Sequence, residues 1–131
     1  MSDKIIQELT DYMSTIQQFD KEAGQDASQL HSYLIQLTQF MARANFLMAE
    51  YGKNFREEKK EAYRLLTQSV IKDQKYYSAS IAKDYVDAQC SETGYIYDLA
   101  ERLSRLCHHT QSAIITIISS LKSERAMAQY Q

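Results

Sequence analysis

From Ala27 to Phe55 the apolar residues fall at Ala27, Leu30, Leu34, Leu37, Met41, Ala44, Met48, Tyr51 and Phe55. The steps alternate between three and four over four heptads, the spacing of a coiled-coil or long-bundle seam. The composition reinforces this reading. The 131 residues contain no proline and only three glycines, so long stretches carry no helix breaker. The same scarcity argues against a sandwich or barrel, which needs turns at short spacing. A chain of this length, 44% apolar, is expected to form one domain over 1–131 with one core.

Other stripes extend the pattern. Ile5, Leu9, Tyr12, Ile16 and Phe19 predict a helix over 3–24, with Ser2 or Asp3 as N-cap and Gly24 as its stop. Asp26 is the expected N-cap of a long helix over 26–75. That helix resumes its stripe at Ala62, Leu65, Leu66, Ser69 and Val70. Gly52 lies inside it, and either a kink or a close helix crossing would explain it. Unbroken, such a helix would be roughly 70 Å long. It must therefore bend near Gly52, or the molecule is elongated and pairs with copies of itself. Tyr76, Tyr77 and Ser78 mark an interruption, followed by a short helix over 80–90. Ser91 to Gly94 reads either as a second turn or as continuous helix. A last helix is expected over 95–128, on Ile96, Leu99, Leu103, Leu106, Thr110, Ala113 and Ile117, with Ile114, Ile118 and Leu121 widening its apolar face. The polar tail from Ser123 is expected to fray. The predicted class is all-α: an elongated antiparallel helical bundle or hairpin of long helices, associated into a homo-oligomer.

Charge is unevenly placed. Residues 1–42 carry a net −4 and residues 43–131 a net +2, within a total of −2. A generic polycation that coats nucleic acid is excluded, but a local basic face is not. Lys53, Arg56, Lys60 and Arg64 step 3, 4, 4 along one helix face, and Lys59, Lys72 and Lys75 lie nearby. Tyr63, Tyr76 and Tyr77 add aromatic surface. Bases with neighbouring aromatics can follow a phosphate backbone and stack on bases. The competing reading is a solvated helix face laced with i,i+4 ion pairs. Arg102, Arg105, His108 and His109 form a second cluster, equally readable as a polar face.

Chemical motifs are sparse. Cys90 and Cys107 are too few for a disulfide scaffold and read as small hydrophobes in a reducing cytoplasm. Adjacent helical residues point about 100° apart, so Cys107, His108 and His109 cannot converge on one metal ion. His31 reads as a boundary residue. There is no Gly-rich phosphate loop and no nucleophile elbow. No apolar run reaches the ~18 residues of a membrane span, and the N-terminus lacks signal-peptide features. No catalytic residue, metal or cofactor is predicted. Glu58, Glu61, Asp84 and Asp87 resemble the paired-acid layout of MazG-type nucleotide pyrophosphohydrolases, which would imply Mg²⁺-dependent hydrolysis.

A broader resemblance lies in the order of segments. A long helix, HSYLIQLTQFMARANFLMAEYGKNFREEKKEAYRLL, is apolar first and charged later. A tyrosine-containing break, KYYSASIAKDYVDAQ, follows. An aromatic-led last helix, TGYIYDLAERLSRLCHHTQSAIITIISSLKSERA, ends in serines and bases. This arrangement, over about three quarters of the chain, resembles the UvsY-type recombination mediators of tailed phages. The resemblance implies a non-enzymatic helical oligomer that acts in the bacterial host cytoplasm. Such a protein binds single-stranded DNA and remodels the single-strand-binding protein. It also loads a RecA-like recombinase. Contacts would then fall on Lys53, Arg56, Lys59, Lys60, Arg64, Lys72 and Lys75 at phosphates, with Tyr76 and Tyr77 stacking. The alternative is a helical adaptor, chaperone or inhibitor that binds only protein, through its N-terminal stripe or the broad apolar face around Ile114 to Leu121.

Overall fold

The computed structural model describes residues 2–22, 26–74 and 76–129, with side chains throughout except those of residues 20–22. The described residues form four helices: α1 (Ser2–Glu22), α2 (Ala27–Asp73), α3 (Ala79–Gln89) and α4 (Ser91–Gln129). None is long and apolar enough to cross a membrane.

Local chemistry sets the boundaries. Asp26 caps α2, its carboxylate accepting from the Ser28 N–H at 3.0 Å. The 47 residues of α2 then run unbroken through Gly52, about 70 Å at 1.5 Å per residue. Gly52 marks a close crossing: a Cβ there would lie 3.1 Å from the Tyr97 ring. Gln74 ends α2 in the left-handed region, with φ of 52°. Ser78 opens α3, its hydroxyl accepting from the Ile81 N–H at 3.2 Å. The proposed Gly24 stop lies outside the described residues.

The junction after α3 is tighter than a four-residue turn at Ser91 to Gly94. Only Cys90 separates α3 from α4, and the Gly94 N–H already bonds the Cys90 carbonyl at 3.0 Å. The last helix therefore starts at Ser91 and not at Tyr95, and its helical order reaches Gln129, so the tail from Ser123 to there is exposed helix.

Leu9, Ile16 and Phe19 of α1 meet Leu30, Leu37 and Ala44 of α2 and Ile96, Leu103 and Cys107 of α4 in one core. Full burial of each large aliphatic side chain contributes about 1.5–3 kcal/mol. Tyr33 and Leu47, off the predicted α2 stripe, are buried as well. Tyr33 is stacked on Phe19 at 4.0 Å. In α4 the buried line passes from Leu103 to Cys107, Ile114 and Ile118, whereas Ala113 and Ile117, expected on the stripe, are exposed. A smaller cluster joins Ala62 of α2 to Val86 and Cys90, with Phe55 and Leu66 against it.

The longest interface is that between α2 and α4. Along it Thr93 Oγ1 donates to Glu58 at 2.9 Å, Ser104 Oγ to Asn45 at 2.9 Å, and Gln111 Nε2 to Thr38 at 3.1 Å. Rising numbers in α4 meet falling numbers in α2.

Candidate nucleic-acid interface

At about 100° per residue, Lys53, Lys60 and Arg64 lie on the side of α2 away from Phe55, Ala62 and Leu66, which pack inward. Lys53, Arg56, Lys60 and Arg64 are all exposed. Arg64 is held by Glu61, with Nε 2.9 Å from Oε2. The hydrogen bond lowers the Glu61 carboxyl and raises the Arg64 guanidinium. Lys59 is half-buried and faces the other way. Its Nζ lies 3.5 Å from Asp87 Oδ1 and 4.6 Å from the Phe55 ring centroid. Among the described residues, Lys53, Arg56, Lys60 and Lys72 form no ion pair. The strip is thus mixed: Arg64 and Lys59 are paired, while Lys53, Arg56, Lys60 and Lys72 face solvent without an ion-pair partner among the described residues.

Beyond the strip, Tyr76 is 90% exposed in the segment between α2 and α3. Tyr77 is half-buried, and Lys75 lies outside the described residues. On α4, Arg105 is paired with Glu101, and Arg102, His108 and His109 are exposed. The two imidazoles sit 6.0 Å apart while Cys107 points into the core. Burial raises the Cys107 thiol to about 11, which keeps it protonated at neutral pH. Cys90 is free, buried and raised by the same cause.

The four acids of the paired-carboxylate pattern separate. Glu58 and Glu61 line a cavity of about 250 Å³ between α2 and α3. Asp87 lines a second one, with Lys59 and Lys83, and is committed to Lys59. Asp84 is exposed and lines neither. Among the described residues no three His, Cys, Asp or Glu side chains converge as a metal group.

Sequence reasoning missed one polar cluster. Glu8 accepts from Arg43 Nε and from the Tyr12 hydroxyl, both at 2.7 Å. The Arg43 bond holds the Glu8 carboxyl below its usual range against the opposing effect of burial. The only sequence signal was an isolated arginine within an apolar helix. In comparisons with protein-family models, curated proteins and solved structures, nothing matches this chain.

Proposed function

We propose that this chain is a non-enzymatic accessory protein of the recombination-mediator type, which binds single-stranded DNA along the outer face of α2. One observation supports the reading most. Lys53, Arg56 and Lys60 stand exposed and unpaired among the described residues, on one face of an unbroken helix that leads towards the exposed Tyr76. Phosphates would meet the bases, and Tyr76 would stack on a nucleobase. The partners are a single-strand-binding protein and a RecA-like recombinase. The working form is a homo-oligomer of antiparallel hairpins, a geometry that the falling register between α2 and α4 favours. Several weak strips then add through avidity.

Titration of a labelled single-stranded oligonucleotide tests this. Four phosphate contacts per chain predict a roughly fifty-fold loss of affinity between ~50 and ~200 mM salt. Replacing Lys60 and Arg64 together by Glu should abolish binding and leave helicity and melting intact, because both side chains are exposed. Retained binding by that variant would place the site elsewhere. No binding at the lower salt favours the protein-only adaptor. That reading is supported by exposed apolar side chains such as Ile115 and Ile117 on the last helix.

A further inference from the structure

Helix α1 lies along one flank of α2. Phe19 stacks on Tyr33 at 4.0 Å, Tyr12 on Phe40 at 4.4 Å, and Glu8 pairs with Arg43. Leu47 continues this flank towards the C-terminus of α2. At steps of seven, four, three and four the same flank goes on through Asn54, Glu58, Glu61 and Leu65. The described part of α1 begins at Ser2, which the register of these contacts sets near the level of Glu50, so it covers only the first part of this row.

Beyond that point the flank has an apolar floor and nothing over it among the described residues. Leu65 is 52% exposed and Tyr85, across the groove on α3, is 49% exposed. Between them lies the cavity of about 250 Å³, floored by Ala62 and Cys90. Its charged lining is Glu58 and Glu61, of which Glu61 is already paired with Arg64 and Glu58 is free of any ion pair among the described residues. A third helix laid there would complete the layer that α1 completes at the other end. The groove selects for an apolar helix that carries bases.

The chain itself carries such a helix. The end of α4 keeps Ile114 and Ile118 in its own core but leaves Ile115 54% exposed. Lys122 follows on the same exposed side, Arg125 lies about 80° round the helix, in line with Ile114 and Ile118, and every residue from Lys122 to Gln129 is exposed. Ile115 and Lys122 are seven residues apart, two helical turns or ~10.5 Å. Leu65 and Glu58 have the same separation. Run in opposite directions, the two helices set Ile115 on Leu65 and Lys122 on Glu58, while Arg125 falls level with Phe55 and Glu61 level with Ser119.

We propose that the groove formed by Glu58, Glu61 and Leu65 of α2 and Tyr85 of α3 is the docking site for the end of α4, Ile115 to Arg125, of a second copy of this chain. Because α2 and α4 run in opposite directions within each copy, this docking sets neighbouring copies parallel and staggered along the helix axis, so the contact is heterologous and copies associate head to tail without closing at two. The proposal does not rest on nucleic-acid binding. Copies that assemble this way yet ignore oligonucleotide would retain it and lose the mediator reading.

The test is the mass of the full chain at low salt, without DNA, by light scattering and sedimentation across a concentration series. The expected result is mass that keeps growing past the dimer. Glu58→Lys should weaken assembly about fivefold, as should Lys122→Glu, and the two changes together should restore it. Both side chains are exposed, so circular dichroism should report an unchanged fold. Leu65→Lys provides a second route, placing a charge at the side of the groove without touching the Thr93–Glu58 bond. A monomer at all concentrations, a fixed dimer, or failure of the combined variant to regain assembly would each overturn the proposal.

Discussion

Glu8 and Arg43 stand 35 positions apart, and only the packing of α1 on α2 brings their side chains to 2.7 Å. The Tyr12 hydroxyl donates to the same carboxylate, so three polar groups are satisfied at the edge of the core. The Arg43 hydrogen bond lowers the Glu8 carboxyl from an ordinary value of 4.5. The unfolded chain thus binds the proton more readily than the folded one. The stability contributed by Glu8 is fully present above pH 4.5 and is lost as pH falls through the lower folded value. Arg43 is 38% exposed, so solvent screening limits the effect to about 1 kcal/mol. Glu8→Gln should lower the unfolding free energy, read from urea denaturation at neutral pH, by that amount and flatten the acid limb of its pH dependence. An unchanged acid limb would mean that the pair is silent. Nothing in the one-dimensional pattern links these residues, because a contact between separate helices leaves no periodic trace.

Among the elements, the α3–α4 junction departs most from the sequence reading. Ser91 to Gly94 has the composition of a turn, yet Gly94 is helical and has no positive φ. Its role is spatial. A Cβ at Gly94 would lie 2.9 Å from the Phe55 ring, which packs on the Ala62, Val86 and Cys90 cluster and lies under Lys59. Gly94→Ala gains about 1 kcal/mol of helix propensity but must displace that ring. The overlap should win, lowering the melting temperature by about 3–6 °C. Phe55→Leu added to Gly94→Ala should recover part of the loss, and a Gly94→Ala variant that melts higher than the parent would show that the ring is free to move. The seam of α4 was misplaced for a different reason. A strict seven-residue stripe predicts Ala113 and Ile117 inside, but a straight helix of 3.6 residues per turn drifts ~20° per heptad. By the second half of α4 that drift has carried Cys107, Ile114 and Ile118 into the core in their place. In α2, Tyr33 became buried because α1 lies along that side, a neighbour that periodicity cannot see.

At the scale of the whole molecule, three helices share the main core, while the far part of α2 rests on the small Ala62, Val86 and Cys90 cluster. Stability should divide accordingly. Leu103→Ala removes a fully buried side chain between helices and should cost about 3 kcal/mol, read from denaturant midpoints. Leu65→Ala at the exposed flank should stay within about 0.5 kcal/mol under dilute conditions. Equal losses would mean that the two regions are one cooperative core. The all-helical class, four segments in order, and both the Asp26 cap and the break before Ser78 could be read from the sequence alone. Those features depend on residues within a few positions of one another: apolar spacing, capping side chains and the absence of proline. The tertiary structure alone decided that Lys59 turns to Asp87 while Lys53, Arg56 and Lys60 face solvent, whereas the Arg64–Glu61 pair is an i,i+3 contact within α2. It also decided that Glu58 and Glu61 share one groove, apart from Asp84 and Asp87. Side chains on one helix face are equivalent in sequence, and they become different only when a second helix covers some of them and leaves the others to water.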